Sequence, residues 1–339
     1  SSDLNKSLLN YIIKIKNLQD KLQNKIQIKI KLSESSKLYY KYIVEYIINI
    51  FNTITVSDND YDIFIKTDVD NSNDYINIDK LNIFLKGETH TNNFDNYDII
   101  IGGVEKQYNK SIIFYPQMMN SLNERRQLNS LYNVSFINKN LCCFMYAVDY
   151  AHRINLYKQF SEKIKVDVLG KSCNPNYNPT KSTRMIYNSD ETYNDIAVKI
   201  YSDYKFVLAI ENVKKDCYFT EKLLNPILAN SIPIYYGSPT AFDIINKKRV
   251  LYIDDYKNFD ELINHINYLS MNEDEYNKIL NEPIFNQNLN ISISNYNDYI
   301  KNKIDICMGF KPRIFSSNID SKNNIIDKIP IDISIYEKY

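Results

Sequence analysis

The stretch FVLAIENVKKDCYFTEKLLNPILANSIPIYYGSP, residues 206–239, decides how this chain folds. It opens on an unbroken apolar run, residues 206–210, of the kind a strand carries when both of its faces are buried. The run ends in Glu211-Asn212, and a polar loop follows. Thr220 then stands where a helix N-cap belongs, with Glu221 and Lys222 in the first turn and apolar residues behind them. SIPIYYG reads as a second buried strand, closing in the turn Gly237-Ser238-Pro239. Strand, loop, helix and strand make the repeating unit of a doubly wound α/β sheet. Pro226 falls inside the predicted helix after one turn and is expected to kink or restart it.

In such a sheet, ligands gather at the carboxyl ends of the strands. Glu211 and Asn212 lie at a strand end, and Thr220, Glu221 and Lys222 lie at a helix start. Their side chains converge with unpaired N–H groups and the positive end of a helix dipole, a setting for phosphate. Lys222 adds a full charge, Tyr218 can donate to a phosphate oxygen, and Glu221 can accept from ribose hydroxyls. The Gly237-Ser238 turn lets backbone approach a ligand. Taken singly, each residue has a plain structural reading: Glu221 as a carboxylate at a helix N-terminus, Lys222 as a solvated charge. It is their joint spacing that is informative.

The same rhythm runs outward. Downstream, RVLYID is a strand; upstream, LCCFMYAV (141–148) is another continuous apolar strand, 154–164 is helical in pattern, and VDVLG ends in Gly170. Residues 171–195, rich in Asn, Ser, Thr, Tyr and Pro, read as a loop. Nearer the amino terminus, residues 4–24 and 39–51 have helical spacing, and 25–32 alternate strictly as a strand does. Short strand-like segments follow at 53–56, 62–65, 81–85 and 97–101. The expected class is α/β with two Rossmann-like domains. Residues 1–135 form the first, with a leading helix, residues 136–300 the second, and 301–339 a tail or linker of little periodicity.

At these residues the chain resembles the α1,3/α1,4-fucosyltransferase family. Members carry a strand ending in Phe-x-x-x-x-Glu-Asn, a short loop, Tyr-x-Thr-Glu-Lys, and then a (Val/Ile)-Pro-(Ile/Val)-x-x-Gly strand. This chain supplies Phe206…Glu211-Asn212, Tyr218-Phe219-Thr220-Glu221-Lys222 and Ile232-Pro233-Ile234-Tyr235-Tyr236-Gly237. The resemblance implies the GT-B arrangement, two Rossmann-like domains facing a cleft, with GDP-fucose held mainly by the C-terminal one. The run LCCFMYAVDYAHRINLYKQFSEKIKVDVLG (141–170) is similar to the strand, Arg-bearing helix and Gly-ended strand that open that domain, which places Arg153 at the matching point.

The resemblance then assigns roles. Arg153 and Lys222 would embrace the GDP diphosphate and neutralise charge as it leaves. Asn212, Tyr218 and Glu221 complete the donor-binding set, with Glu211, Gly237 and Ser238 as further candidates. In the N-terminal domain, IFLKGETHTNNFDNYDIIIGG (83–103) is similar to the family's strand, Gly-Glu and following strand, and Glu88 is the matching carboxylate. Its implied role is the catalytic base that takes the acceptor hydroxyl's proton, in an attack that inverts the anomeric centre. His90 is close enough in sequence to line the acceptor site. The chain departs from the family at Ile210, where Phe is usual, and in the glycine-free loop 213–217.

Composition narrows the alternatives. With 41 basic and 41 acidic residues the net charge is zero, which argues against nucleic acid as a partner. No Gly-x-Gly-x-x-Gly or Walker loop is present, so nicotinamide enzymes and ATPases lose support. No apolar run reaches the ~20 residues of a membrane span. Five cysteines, an odd number without zinc spacing, point to a reduced, cytoplasmic setting, as a free chain or as a domain of a longer protein. With 30 Tyr and no Trp, aromatic clusters are mostly background. The Asp-x-Asp pairs Asp58/Asp60 and Asp68/Asp70 are of the kind chance supplies in a chain so rich in Asp and Asn, and Arg153 with Lys222 makes a divalent metal unnecessary; no cofactor beyond the donor is expected. His90, His152 and His265 show no metal-ligand spacing. The expectation is an inverting fucosyltransferase that moves L-fucose from GDP-fucose to a glycan hydroxyl of the GlcNAc O3 type. Two alternatives stand beside it: the same fold using another GDP-sugar, and a non-catalytic glycan-binding module. Oligomeric state is not legible.

Overall fold

The computed structural model describes residues 2–33, 40–68, 76–87, 93–103, 111–114, 118, 134–174, 176, 192–287 and 295–310. The chain divides into two compact units, Ser1–Pro116 with Ile291–Tyr339, and Gln117–Asn290.

The first unit runs α1 (Ser2–Gln23), β1 (Lys29–Leu32), α2 (Lys41–Phe51), β2 (Ile54–Val56), β3 (Ile63–Thr67), β4 (Leu81–Lys86), β5 (Ile99–Gly102) and β6 (Ser111–Phe114). These strands form one sheet in the order β2-β1-β3-β4-β5-β6, parallel throughout. β4 and β5 are buried along their whole length, as strands covered on both faces must be. β1 is shorter than the alternation of residues 25–32 predicts. Lys25 adopts a left-handed φ of 56° and Ile26 N–H bonds back to Lys21 O at 2.8 Å, so the end of α1 claims the first residues of the pattern.

The second unit runs β7 (Asn140–Phe144), α3 (Ala151–Ser161), β8 (Val166–Val168), α4 (Tyr193–Tyr201), β9 (Tyr204–Ile210), α5 (Glu221–Leu228), β10 (Ile232–Tyr236), β11 (Leu251–Tyr252), α6 (Phe259–Met271) and α7 (Glu273–Asn281). Its sheet has the order β11-β10-β9-β7-β8, again all parallel. Phe144, Phe206, Leu208, Ile234 and Ile266 knit sheet and helices into one core. Both units are thus doubly wound α/β layers, the class read from residues 206–239.

Three details depart from the sequence reading. α4 occupies part of the expected loop 171–195: Thr192 Oγ1 accepts from Asp195 N–H, and Asp195 accepts from Thr192 N–H at 3.0 Å, a capping box that starts the helix. α5 does not restart at Pro226 but continues through it to Leu228; at this sixth position the proline removes the N–H that would have reached the Lys222 carbonyl. Finally, the last described segment is a helix, α8 (Tyr296–Cys307), that belongs to the first unit and crosses the expected boundary at 300/301. Ile300, Ile304 and Met308, four apart, are fully buried. Tyr11 OH donates to Cys307 O, Gln19 Nε2 to Gly309 O at 2.9 Å, and Tyr46 OH to Asp305. The expected boundary at 135/136 compares with a division at 116/117, and residues 311–339 lie outside the described residues.

Candidate active site

The carboxyl end of the second sheet collects the charged residues of the signature stretch. Arg153, in the first turn of α3, is 2% exposed. Its Nε and Nη2 donate to Ile210 O at 3.2 and 3.0 Å, and Nη2 also donates to Asn212 Oδ1 at 2.6 Å. Its guanidinium lies over the rings of Tyr146 and Tyr150, 4.4 and 5.0 Å from their centroids. Tyr146, just beyond β7, in turn bridges to the neighbouring strand β9, donating to Leu208 O and accepting from Ile210 N–H at 2.7 Å. Every one of these partners is neutral, and among the described residues no carboxylate pairs with Arg153. The guanidinium is therefore fixed in direction while its charge stays uncancelled.

The start of α5 is built differently. Thr220 caps the helix: its hydroxyl accepts from Lys222 N–H at 3.4 Å. Glu211, fully buried, accepts from Thr220 N–H at 2.7 Å and from the Thr220 hydroxyl at 2.9 Å. Lys222 Nζ lies 3.1 Å from Glu221 and 3.9 Å from Glu211, and donates to Thr220 Oγ1 at 3.2 Å. Burial raises the Glu211 carboxyl above its ordinary value despite Lys222. Burial pushes Glu221 up too, but Lys222 overrides it and holds this carboxyl low. Burial pulls Lys222 down, and the two carboxylates more than reverse that, so its pKa is raised. A lysine at a helix N-terminus opposes the dipole, and here two carboxylates compensate. Counting Arg153, the four charges sum to zero. An incoming diphosphate meets one uncancelled guanidinium, and one ammonium able to exchange carboxylate for phosphate oxygen.

The remaining candidates divide. Asn212 is the acceptor that aims Arg153. Tyr218 is buried, next to Cys217, whose φ of 62° and N–H bond to Thr240 Oγ1 shape the loop. Gly237 is required by packing: an added Cβ would lie 2.2 Å from the Tyr235 hydroxyl and 2.9 Å from Glu211 Cγ. Ser238 is buried, bonds Asp216, and caps the short turn of helix at Pro239–Asp243. Glu88 and His90 lie outside the described residues. Of the Asp-x-Asp pairs, Asp60 is paired with Lys29 and Asp68 with Lys86, and Asp70 is outside the described residues. Among the described residues, no group of three His, Cys, Asp or Glu side chains could hold a metal ion. His152, which has no metal-ligand spacing, joins the site through its ring. Its Nε2 meets Glu211 O at 3.0 Å, and its ring stacks on both Tyr150 and Tyr236. Its place beside Arg153 in one helical turn was the available signal.

Residues 138–308 match the model of glycosyltransferase family 10 (fucosyltransferase), C-terminal part. A protein of Acanthamoeba polyphaga mimivirus, provisionally described as a fucosyltransferase, is 38% identical over 277 residues, 80% of this chain and 45% of its own length. The alpha-(1,3)-fucosyltransferase of Helicobacter pylori is 28% identical over 225 residues, 59% of this chain and 46% of its own. The chain thus spans about half the length of the curated relatives it matches. A crystal structure of an alpha1,3-fucosyltransferase with GDP-fucose superposes with a TM-score of 0.62 at 20% identity, covering 86% of this chain and 93% of that one, so the fold is of the GT-B class. With the family match spanning the sheet, the α3 arginine and the α5 cap alike, the chain belongs to glycosyltransferase family 10, the fucosyltransferases.

Proposed function

We propose that the chain carries an inverting fucosyltransferase activity that moves L-fucose from GDP-fucose to a glycan hydroxyl of the GlcNAc O3 type. The observation that carries the reading is the pair of cations at one sheet end, Arg153 held by neutral partners and Lys222 poised between carboxylates. Transfer leaves negative charge on the β-phosphate of GDP, and two fixed cations stabilise that charge where it develops. This chemistry needs no divalent metal, so transfer is expected to survive EDTA. Glu88 is the proposed base: as the acceptor oxygen attacks the anomeric carbon, the carboxylate takes its proton, and attack opposite to GDP inverts the configuration. None of the five cysteines is joined in a disulfide, and no helix among the described residues is long and apolar enough to cross a membrane.

Calorimetric titration with GDP-fucose, GDP-mannose and UDP-sugars tests the donor. Tightest binding of GDP-fucose supports the reading, and binding of none of the GDP-sugars sinks it. Glu88→Gln is expected to keep GDP-fucose affinity and lose transfer by a factor on the order of 10²–10⁴, the usual contribution of a general base. Normal transfer by that variant would place the base elsewhere.

A further inference from the structure

Glu211 places its carboxyl group in the interior, out of reach of solvent. The side chain is fully buried, and both of its oxygens are used by one residue, Thr220. Lys222 and Glu221 face it from α5, Tyr235 from β10 and Tyr146 from just beyond β7, while His152 meets only its backbone carbonyl. Gly237 leaves room for its stem, since any side chain there would meet Glu211 Cγ. A buried carboxylate is a costly way to fill space, and an apolar side chain or an amide would cost less. What the carboxylate supplies is direction. As an acceptor only, it obliges the Thr220 hydroxyl to donate to it. The hydroxyl's lone pairs are then left for Lys222, which they receive at both N and Nζ. An amide at the same place would turn an N–H toward the hydroxyl and compete with Lys222.

We propose that Glu211 is a positioning residue for donor binding: acting through Thr220, it fixes where the Lys222 ammonium stands to meet the diphosphate. The proposal rests on the assignment of Lys222 to that diphosphate, and it assigns Glu211 a role without contact to the nucleotide.

The test compares wild type, Glu211→Gln, Thr220→Val, Thr220→Ser and Lys222→Ala. It reads GDP dissociation constants by calorimetry, donor and acceptor KM, and melting temperature. Glu211→Gln and Thr220→Val are expected to raise the GDP Kd and donor KM about tenfold, the scale of one misdirected charge-assisted hydrogen bond, and to leave acceptor KM within about twofold. Thr220→Ser, which keeps the hydroxyl, should recover most of what Thr220→Val loses. A purely structural Glu211 would instead lower the melting temperature and the active fraction with the GDP Kd unchanged, and that result overturns the proposal. Should Glu211→Gln not fold, the Thr220 pair decides, and equal GDP affinity in the Val and Ser variants overturns it. A Lys222→Ala protein that binds GDP like wild type would fault the diphosphate assignment itself, a different failure.

Discussion

The two ends of α5 both sit in buried charge, and they use it in opposite ways. At the carboxyl end, Arg249 Nη2 donates to Ile227 O at 3.2 Å and Lys139 Nζ to Asn230 O at 2.6 Å. These cations sit where the helix dipole is negative and where the last carbonyls have no further turn to bond. Neither is paired with a carboxylate among the described residues, and burial lowers the pKa of both, Lys139 to about 8. At the amino end, Lys222 sits where the dipole is positive, and Glu221 and Glu211 drive its pKa upward against burial. A cation that follows the helix field can be satisfied by carbonyls and needs nothing from outside. One placed against the field has to be held by anions, and those anions can be replaced by a ligand's. The contrast separates architecture from function among residues that look alike in the sequence.

Lys222→Ala should break the contrast most strongly. It removes the ammonium from the diphosphate and leaves Glu221 and Glu211 facing each other, and the GDP Kd is expected to rise about a hundredfold, the scale of a lost charge-assisted contact. Unchanged affinity by calorimetry would mean that the misplaced charge serves the fold alone. Arg153→Lys comes next. It keeps the charge but loses the fork that reaches Ile210 O and Asn212 together. A roughly tenfold weaker GDP affinity is expected. If the variant matches wild type, net charge and not direction is what Arg153 contributes.

How much of this could be read from the sequence depends on how local each signal was. The α5 stretch was legible because its apolar runs, its Thr220 cap and its first-turn charges are all encoded within a few residues. α4 was not, because Thr192 and Asp195 form a capping box inside a segment whose overall composition looks like loop. α8 carried a usable spacing in Ile300, Ile304 and Met308, but its partners Tyr11, Gln19 and Tyr46 are more than 250 residues away in sequence, and no local pattern points to them. At the site, Arg153, Glu221 and Lys222 were readable as charges at strand and helix ends. That Glu211 turns inward was not, since it depends on Thr220 folding back nine residues later. The same holds for Gly237, whose reason is the Glu211 stem and the Tyr235 hydroxyl and not an approaching ligand.

The carboxyl end of α5 yields smaller effects, and they must fall on stability and not on the donor. Arg249→Met leaves no orphan, because Ile227 O still accepts from Asn230 N–H at 3.2 Å and Ile279 O from Glu282 N–H at 3.3 Å. A loss of about 1 kcal/mol in chemical unfolding is expected, with the GDP Kd within about twofold of wild type. A tenfold change in Kd would erase the distinction between the two ends.

Lys139→Met probes the same end through pH. Asn230 O keeps the Tyr276 hydroxyl and Tyr204 O keeps Ser231, so the substitution removes a desolvated charge and strands no acceptor. The folded pKa of about 8 lies below the ordinary lysine value of 10.5, so below pH 8 the folded state bears the full penalty of a buried ammonium. As pH rises from 8 toward 10.5, the unfolded chain binds more protons than the folded one, and the penalty is relieved by about 1 kcal/mol per pH unit. Wild type should therefore gain on Lys139→Met between pH 8 and pH 9 in paired unfolding curves, while GDP affinity moves equally in both. A difference that stays flat with pH would show that the carbonyls of Asn230 and Tyr204 hold the ammonium charged through this range, and that the carboxyl end of α5 satisfies its cation more completely than burial alone allows.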